Sequence, residues 1–227
     1  MKSAKFSGVA VLVALALAAL PSAASAGEPR IDPASGKFPI NFTMSGGHAE
    51  FRASGEPAIT CTSSTGSGQF TTSTTFTVHI LWHGCSTSFF GFPVACNSAG
   101  QPSGTTTAHI PVAHLVYVTD AKTTPGVLMT PPTSGVFTTL ICGGFASIEV
   151  KGNGVVGEIT APKCGSTSKT ATVSFAATGA SQNLKRVTAT GTEYSLLAAT
   201  EGGSSVAAAE VGEGTITFAE NVTLTCV

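Results

Sequence analysis

Five His, twelve acidic side chains and six Cys are the groups in this 227-residue chain most able to do chemistry. His79 and His83 lie four apart in a stretch that reads as a strand, where both project from one face. Leu81 stands between them, and a regular strand would hold them ~13 Å apart, too far for one metal ion to bridge. His109 and His114 are five apart and point to opposite faces of an unbroken strand. No metal and no cofactor is expected. Among carboxylates, Glu149 and Glu158 face each other across an expected hairpin, and glycosidase chemistry needs at least such a pair. On an exposed sheet, acids of this kind ordinarily keep an edge soluble. Neither G-x-S-x-G, H-E-x-x-H nor a phosphate-cradling glycine loop occurs. No catalytic residue is assigned, and the balance leans away from an enzyme.

Cys61, Cys85, Cys96, Cys142, Cys164 and Cys226 are separated by 24, 11, 46, 22 and 62 positions. Zinc sites need C-x2-C-type spacings, so three disulfides are the natural reading. Fifteen pairings are possible. The expected set is Cys85 with Cys96, closing a local loop, then Cys61 with Cys142 and Cys164 with Cys226 as long-range staples. The loop so closed carries Phe89, Phe90 and Phe92, and a stiff apolar tip binds a partner at reduced entropic cost. Trp82, the single Trp, lies just upstream. It either stacks on a sugar or a partner's ring or plugs the end of the core. The alternative for the loop is that Phe89 and Phe92 tuck under the sheet edge.

These residues need a compartment and a scaffold. Lys2 and Lys5 precede the apolar run from Val9 to Leu20, then Pro21 and the A-x-A site Ala24-Ser25-Ala26. This pattern predicts a signal peptide over residues 1–26 and a secreted, mature chain from Gly27. Nothing after Gly27 is apolar for long enough to cross a bilayer. Only 10% of residues are charged and the formal net charge is -1, becoming -3 once Lys2 and Lys5 are removed. With three scattered Arg and no basic stripe, nucleic acid is excluded as a partner.

Thr makes up roughly one residue in seven, and with so much Gly and Ser the composition favours strands and turns over helices. Residues 27–37 carry Pro29, Pro33 and Gly36 without periodicity and read as an extended lead-in segment. Period-two alternation starts at Phe38 and recurs along the chain to Thr225, broken by Gly, Pro, Ser and Asn. Phe70 to Trp82 reads as one long strand or two joined at a bulge. Gly152-Asn153-Gly154 reads as a hairpin turn between 148–151 and 155–159. Ala198-Ala199 and Val206 to Glu210 are the only places for a turn of helix. About twelve strands over residues 38–227 predict an all-β fold: a disulfide-stapled antiparallel β-sandwich, as one unit or two packed sub-sandwiches. Closure into a barrel is the lesser alternative.

The landmarks Ile59 to Gly68, Gly84-Cys85, Cys96 to Gly100, Cys142-Gly143-Gly144 and Val155 to Ile159 resemble a group of uncharacterised secreted proteins from soil actinobacteria. The resemblance spans roughly residues 58–200. It implies a bacterial source, export and a β-rich build, and it transfers no activity. In that group four Cys are usual, so Cys164 and Cys226 are additions, which fits their pairing with each other. The functional expectation is a non-catalytic extracellular binding protein that uses Phe89, Phe90, Phe92 and Trp82 on an unknown protein or glycan at the cell surface. The rivals are a surface subunit that self-assembles through edge strands such as Phe70 to Trp82, and a secreted hydrolase.

Overall fold

Alternating side chains and Gly/Pro punctuation produce strands throughout, joined by short turns. The structure, a computed structural model, describes residues 27–118, 123–184, 196–200 and 205–226. The expected signal peptide lies outside them, as do residues 185–195 of the stretch expected to alternate through to Thr225. The strands are β1 (Arg30–Pro33), β2 (Ile40–Ala53), β3 (Ile59–Cys61), β4 (Ser63–Phe70), β5 (Thr75–His83), β6 (Ser86–Phe89), β7 (Phe92–Asn97), β8 (Thr105–Tyr117) and β9 (Pro125–Thr130). They continue as β10 (Val136–Cys142), β11 (Ala146–Gly152), β12 (Val155–Ala161), β13 (Thr167–Phe175), β14 (Ala177–Thr178), β15 (Ser181–Gln182), β16 (Leu196–Thr200) and β17 (Ser205–Thr225). No helix occurs among the described residues. The Ala-rich segments expected as helical turns lie in β16 and β17, because each finds a strand partner: Leu197 opposite Ala207 and Ala209 opposite Arg52.

The all-β expectation holds and the sandwich does not. Eight strands close on themselves in the order β17-β13-β12-β9-β8-β5-β4-β2, and β2 returns to β17. The closing seam is antiparallel, from Ala208 opposite Ala53 to Phe218 opposite Phe42. Alternation is the same in a sandwich and a barrel. What decides is that β2 and β17, 14 and 21 residues long, are paired along both edges. Further strands lie outside the barrel. β1 flanks the end of β17, while β3, β6, β7, β10, β11 and β16 run as a chain of pairings from the second half of β2 to the start of β17.

Inward side chains fill one end of the barrel with Phe42, Phe70, Phe76 and Phe218, Phe70 and Phe76 stacking at 4.7 Å between ring centroids. Each buried ring contributes roughly 1.5–3 kcal/mol. Gly68 makes this layer possible, since a β-carbon there would lie 2.3 Å from Cζ of Phe42.

Three sequence expectations need correction at the level of turns. The run Phe70 to Trp82 is not one strand: Phe70 pairs with Phe76 across a turn whose Thr71, Thr72 and Thr75 hydroxyls bond one another. Gly152-Asn153-Gly154 is not a hairpin turn, because β11 pairs with β10 and β16 while β12 pairs with β9 and β13. The turn chemistry suits a sharp corner equally well, and the longer pairings take the strands apart. The disulfides join Cys61 to Cys85, Cys96 to Cys142 and Cys164 to Cys226. Only the last was anticipated. Cys85 and Cys96 are adjacent in space, the Cys96 amide donating to the Cys85 carbonyl at 2.9 Å, but each points its sulfur to a different neighbouring strand.

Candidate functional site

The Phe-rich segment folds as a hairpin in which Ser86 to Phe89 pair with Phe92 to Ala95. Phe90 and Gly91 form the two-residue turn, with φ of 49° and 85°. Two positive φ values match the right-handed twist of a hairpin, and the first such position normally takes Asn, Asp or Gly. A Phe there bears a steric penalty. Its ring gains nothing from the protein in return, being 99% exposed.

Phe90 is not isolated. Phe92 is 72% exposed, and Phe145, in the β10–β11 turn, is 65% exposed. β7 pairs with β10, Cys96 opposite Cys142, and the Gly143 amide donates to the Ala95 carbonyl, which sets the β10–β11 turn beside β7. The ring of Phe89 meets that of Phe145 edge-on at 5.1 Å and also packs against the core. Phe145 is set by Gly143, whose positive φ opens the turn and whose missing β-carbon would otherwise sit 2.4 Å from the ring. This end of the molecule thus presents three exposed rings, Phe90, Phe92 and Phe145, the last held against Phe89. The hairpin is not closed by its own disulfide. Instead one disulfide fastens the base of β6 to β3, and another fastens the base of β7 to β10.

The stretches of chain that form both turns carry no formal charge. No Asp, Glu, Lys or Arg occurs from Pro57 through Thr119, nor from Thr123 through Ile148. Phe145 escaped the sequence reading. The available signal was Gly143-Gly144 before a lone aromatic, a tight turn with a large ring at its exit.

Trp82 separates from the other three expected site residues. It follows Phe76, Val78 and Ile80 on the inward face of β5, packs against the core and lines the barrel interior. Core plug rather than exposed platform is its place. His79 and His109 are cross-strand neighbours on the outer face, with ring centroids 6.2 Å apart, and Thr107 Oγ1 lies 2.8 Å from Nε2 of His79. His83 Nε2 lies 3.0 Å from Thr65 Oγ1. No group of three or more His, Cys, Asp and Glu able to hold a metal occurs among the described residues. Glu149 accepts from Lys151 Nζ at 2.8 Å, and Glu158 lies on β12, which does not pair with β11. The stretch from Phe70 to Trp82 has no free edge, since β5 is flanked by β4 and β8.

Inside the barrel lies a further group that sequence reading missed. Glu210 stands on the inward face of β17, two positions after buried Ala208, and lines two adjoining cavities. Burial pushes its carboxyl up to about 7. The side chain keeps some accessible surface because it looks into the void, yet protein surrounds it. Glu50 on β2 differs: hydrogen bonds from His48 and then Arg52 hold its carboxyl below the usual range.

No family model, curated protein or solved structure matches this chain.

Proposed function

We propose that this protein is a non-catalytic, secreted binding module that attaches to an extracellular partner through the Phe90-Phe92-Phe145 tip. The carrying observation is Phe90: a fully exposed ring at a backbone position that disfavours it, beside two more exposed rings. A feature that costs roughly 1–3 kcal/mol and returns no internal contact is explained by an external one. Three disulfides are compatible with the oxidising exterior that this reading requires. The bacterial signal peptide belongs to the same proposal.

The tip is convex and uncharged, so its partner must offer an apolar recess. A protein pocket meets that need better than a glycan, whose ring faces want aromatic platforms with polar groups beside them. Aromatic anchors entering pockets are also the residues that dominate protein interfaces. Two disulfides hold the hairpin bases, so little ordering is left for binding to oppose. The test is retention of the mature protein on isolated cell envelopes of the producing organism. Wild type should be retained and Phe90→Ser/Phe92→Ser should wash off. Pretreating the envelopes with protease should abolish retention, and pretreating with glycosidases should not. Loss after glycosidase alone would make the partner a glycan, and equal retention of the variant would overturn the tip assignment.

A further inference from the structure

The barrel interior carries a second site, independent of the tip. One cavity of about 70 Å³ lies between the barrel and the strands outside it, bounded by residues such as Ile59, Ala108, Phe137 and Leu140. The other, about 50 Å³, lies deeper in the barrel against Met44, Val173 and Phe175. They share Ala49, Ile80, Trp82, Met129 and Glu210, so they are two lobes of one space with Glu210 at their junction.

Nearly everything that faces this space is hydrocarbon, sulfur or aromatic. Three hydroxyls also line it, Ser64, Thr106 and Thr138, with Thr106 engaged by Cys85 Sγ and Thr138 by Ser98 Oγ, and Glu210 is the acid that faces it. The hydrogen bonds it makes to described residues use its backbone: its N–H donates to Gln182 Oε1 at 3.0 Å and its carbonyl accepts from Gln182 Nε2 at 3.1 Å. No described side chain donates to its carboxyl. The other acids on the lining are engaged or turned away, Glu50 toward Arg52 and His48, and Glu213 toward solvent. A barrel of eight strands is just wide enough for side chains to fill or for one small ligand to occupy. Here glycines at 212 and 214 take inward positions on β17 that larger side chains would fill. An acceptor that faces an apolar void rather than bulk water is satisfied only when something in that void supplies a donor. Pocket sites are built in this way, from mostly apolar walls with one convergent polar group that fixes orientation.

We propose that the two-lobed cavity binds a compact apolar molecule bearing one hydrogen-bond donor, an alcohol or an amine, with the donor on the Glu210 carboxyl and the hydrocarbon in the lobes. The size sets the class. An engineered cavity of roughly 150 Å³ takes benzene, and the two lobes together fall short of that, so the occupant is smaller than benzene, at most about one four-membered ring or a short branched chain.

Trp82 is the only Trp in the chain and touches both lobes, so its fluorescence reports occupancy directly. The experiment titrates the mature protein with cyclobutanol, cyclobutylamine and cyclobutane, which share one ring and differ in the donor. Saturable Trp82 quenching or shift is expected for the alcohol or the amine at concentrations at least tenfold below those needed for cyclobutane. Whichever binds tighter identifies the natural donor. Glu210→Leu should erase that tenfold preference. Should Glu210→Leu fail to fold, Ala108→Leu, which fills the first lobe, should weaken all three compounds tenfold while leaving the barrel's circular dichroism unchanged. Equal response to the three ring compounds, or none to any, would overturn the proposal. Envelope retention through the tip stays intact in either event, which separates this site from the first.

Discussion

At the residue scale, two side chains stand where their local surroundings disfavour them, and each makes a measurable prediction. Phe90 has a φ that Asn tolerates far better than Phe. Phe90→Asn should therefore raise the unfolding free energy by about 1 kcal/mol in urea melts while weakening attachment. A purely structural Phe would show the opposite, with stability falling. Glu210 is the second case. Its carboxyl is raised from 4.5 to about 7 in the folded protein, so the folded state keeps a proton that the unfolded chain releases. Stability from this group is complete below pH 4.5 and declines as pH rises through 7, by up to about 3 kcal/mol. Urea midpoints at pH 5 and pH 8 should differ in that direction, and Glu210→Gln should shrink the difference. A midpoint that rises between pH 5 and pH 8 equally in both proteins would contradict the burial of Glu210. Neither residue's role was legible in the sequence. A Phe in a Phe-Gly pair and a Glu after three Ala look ordinary until the hairpin register and the barrel interior are known.

At the element scale, β17 organises the molecule by changing partners along its length. It pairs with β16 at Ser205 to Ala208, with β2 from Ala208 to Phe218, with β13 from Gly212, and with β1 at Val222 to Thr225. Between the departure of β16 and the arrival of β13, the buried side-chain amide of Gln182 takes the place of a strand, bonding both backbone groups of Glu210. Gln182→Leu should thus cost about 2–3 kcal/mol, more than one ordinary hydrogen bond, because a buried N–H and C=O are left unpaired together. Chemical denaturation would measure it, and a loss under about 0.5 kcal/mol would show that the amide is dispensable. Strand positions were largely legible, since alternation marks them whatever they pair with. The missed turn at Thr71 to Thr75 shows the limit: β-branched residues read as strand, while hydroxyl bonds among Thr71, Thr72 and Thr75 hold a reversal. The hairpin expected at Gly152 to Gly154 failed for the complementary reason, a good turn signal between strands with better partners elsewhere.

At the scale of the whole molecule, closure is the property that local sequence does not encode. Joining β2 to β17 pairs Phe42 with Phe218, residues 176 apart in the chain, and periodicity carries no information over such a distance. Inward glycines such as Gly68 and Gly157 were the overlooked sign, since strand glycines mark strong coiling and close approach of neighbouring side chains. The closed barrel leaves a rigid base, and the strands outside it carry the aromatic tip, with disulfides fixing both ends of its hairpin. This arrangement separates holding from touching, so removing the exposed rings should leave the fold untouched. The direct measurement is the dissociation constant of the mature protein on producing-organism envelopes, wild type against Phe90→Asn/Phe92→Thr/Phe145→Thr, with thermal unfolding recorded for both. The account predicts at least a tenfold weaker Kd for the triple variant at an unfolding temperature equal to or above wild type. An unchanged Kd in a variant that folds as well as wild type would contradict it.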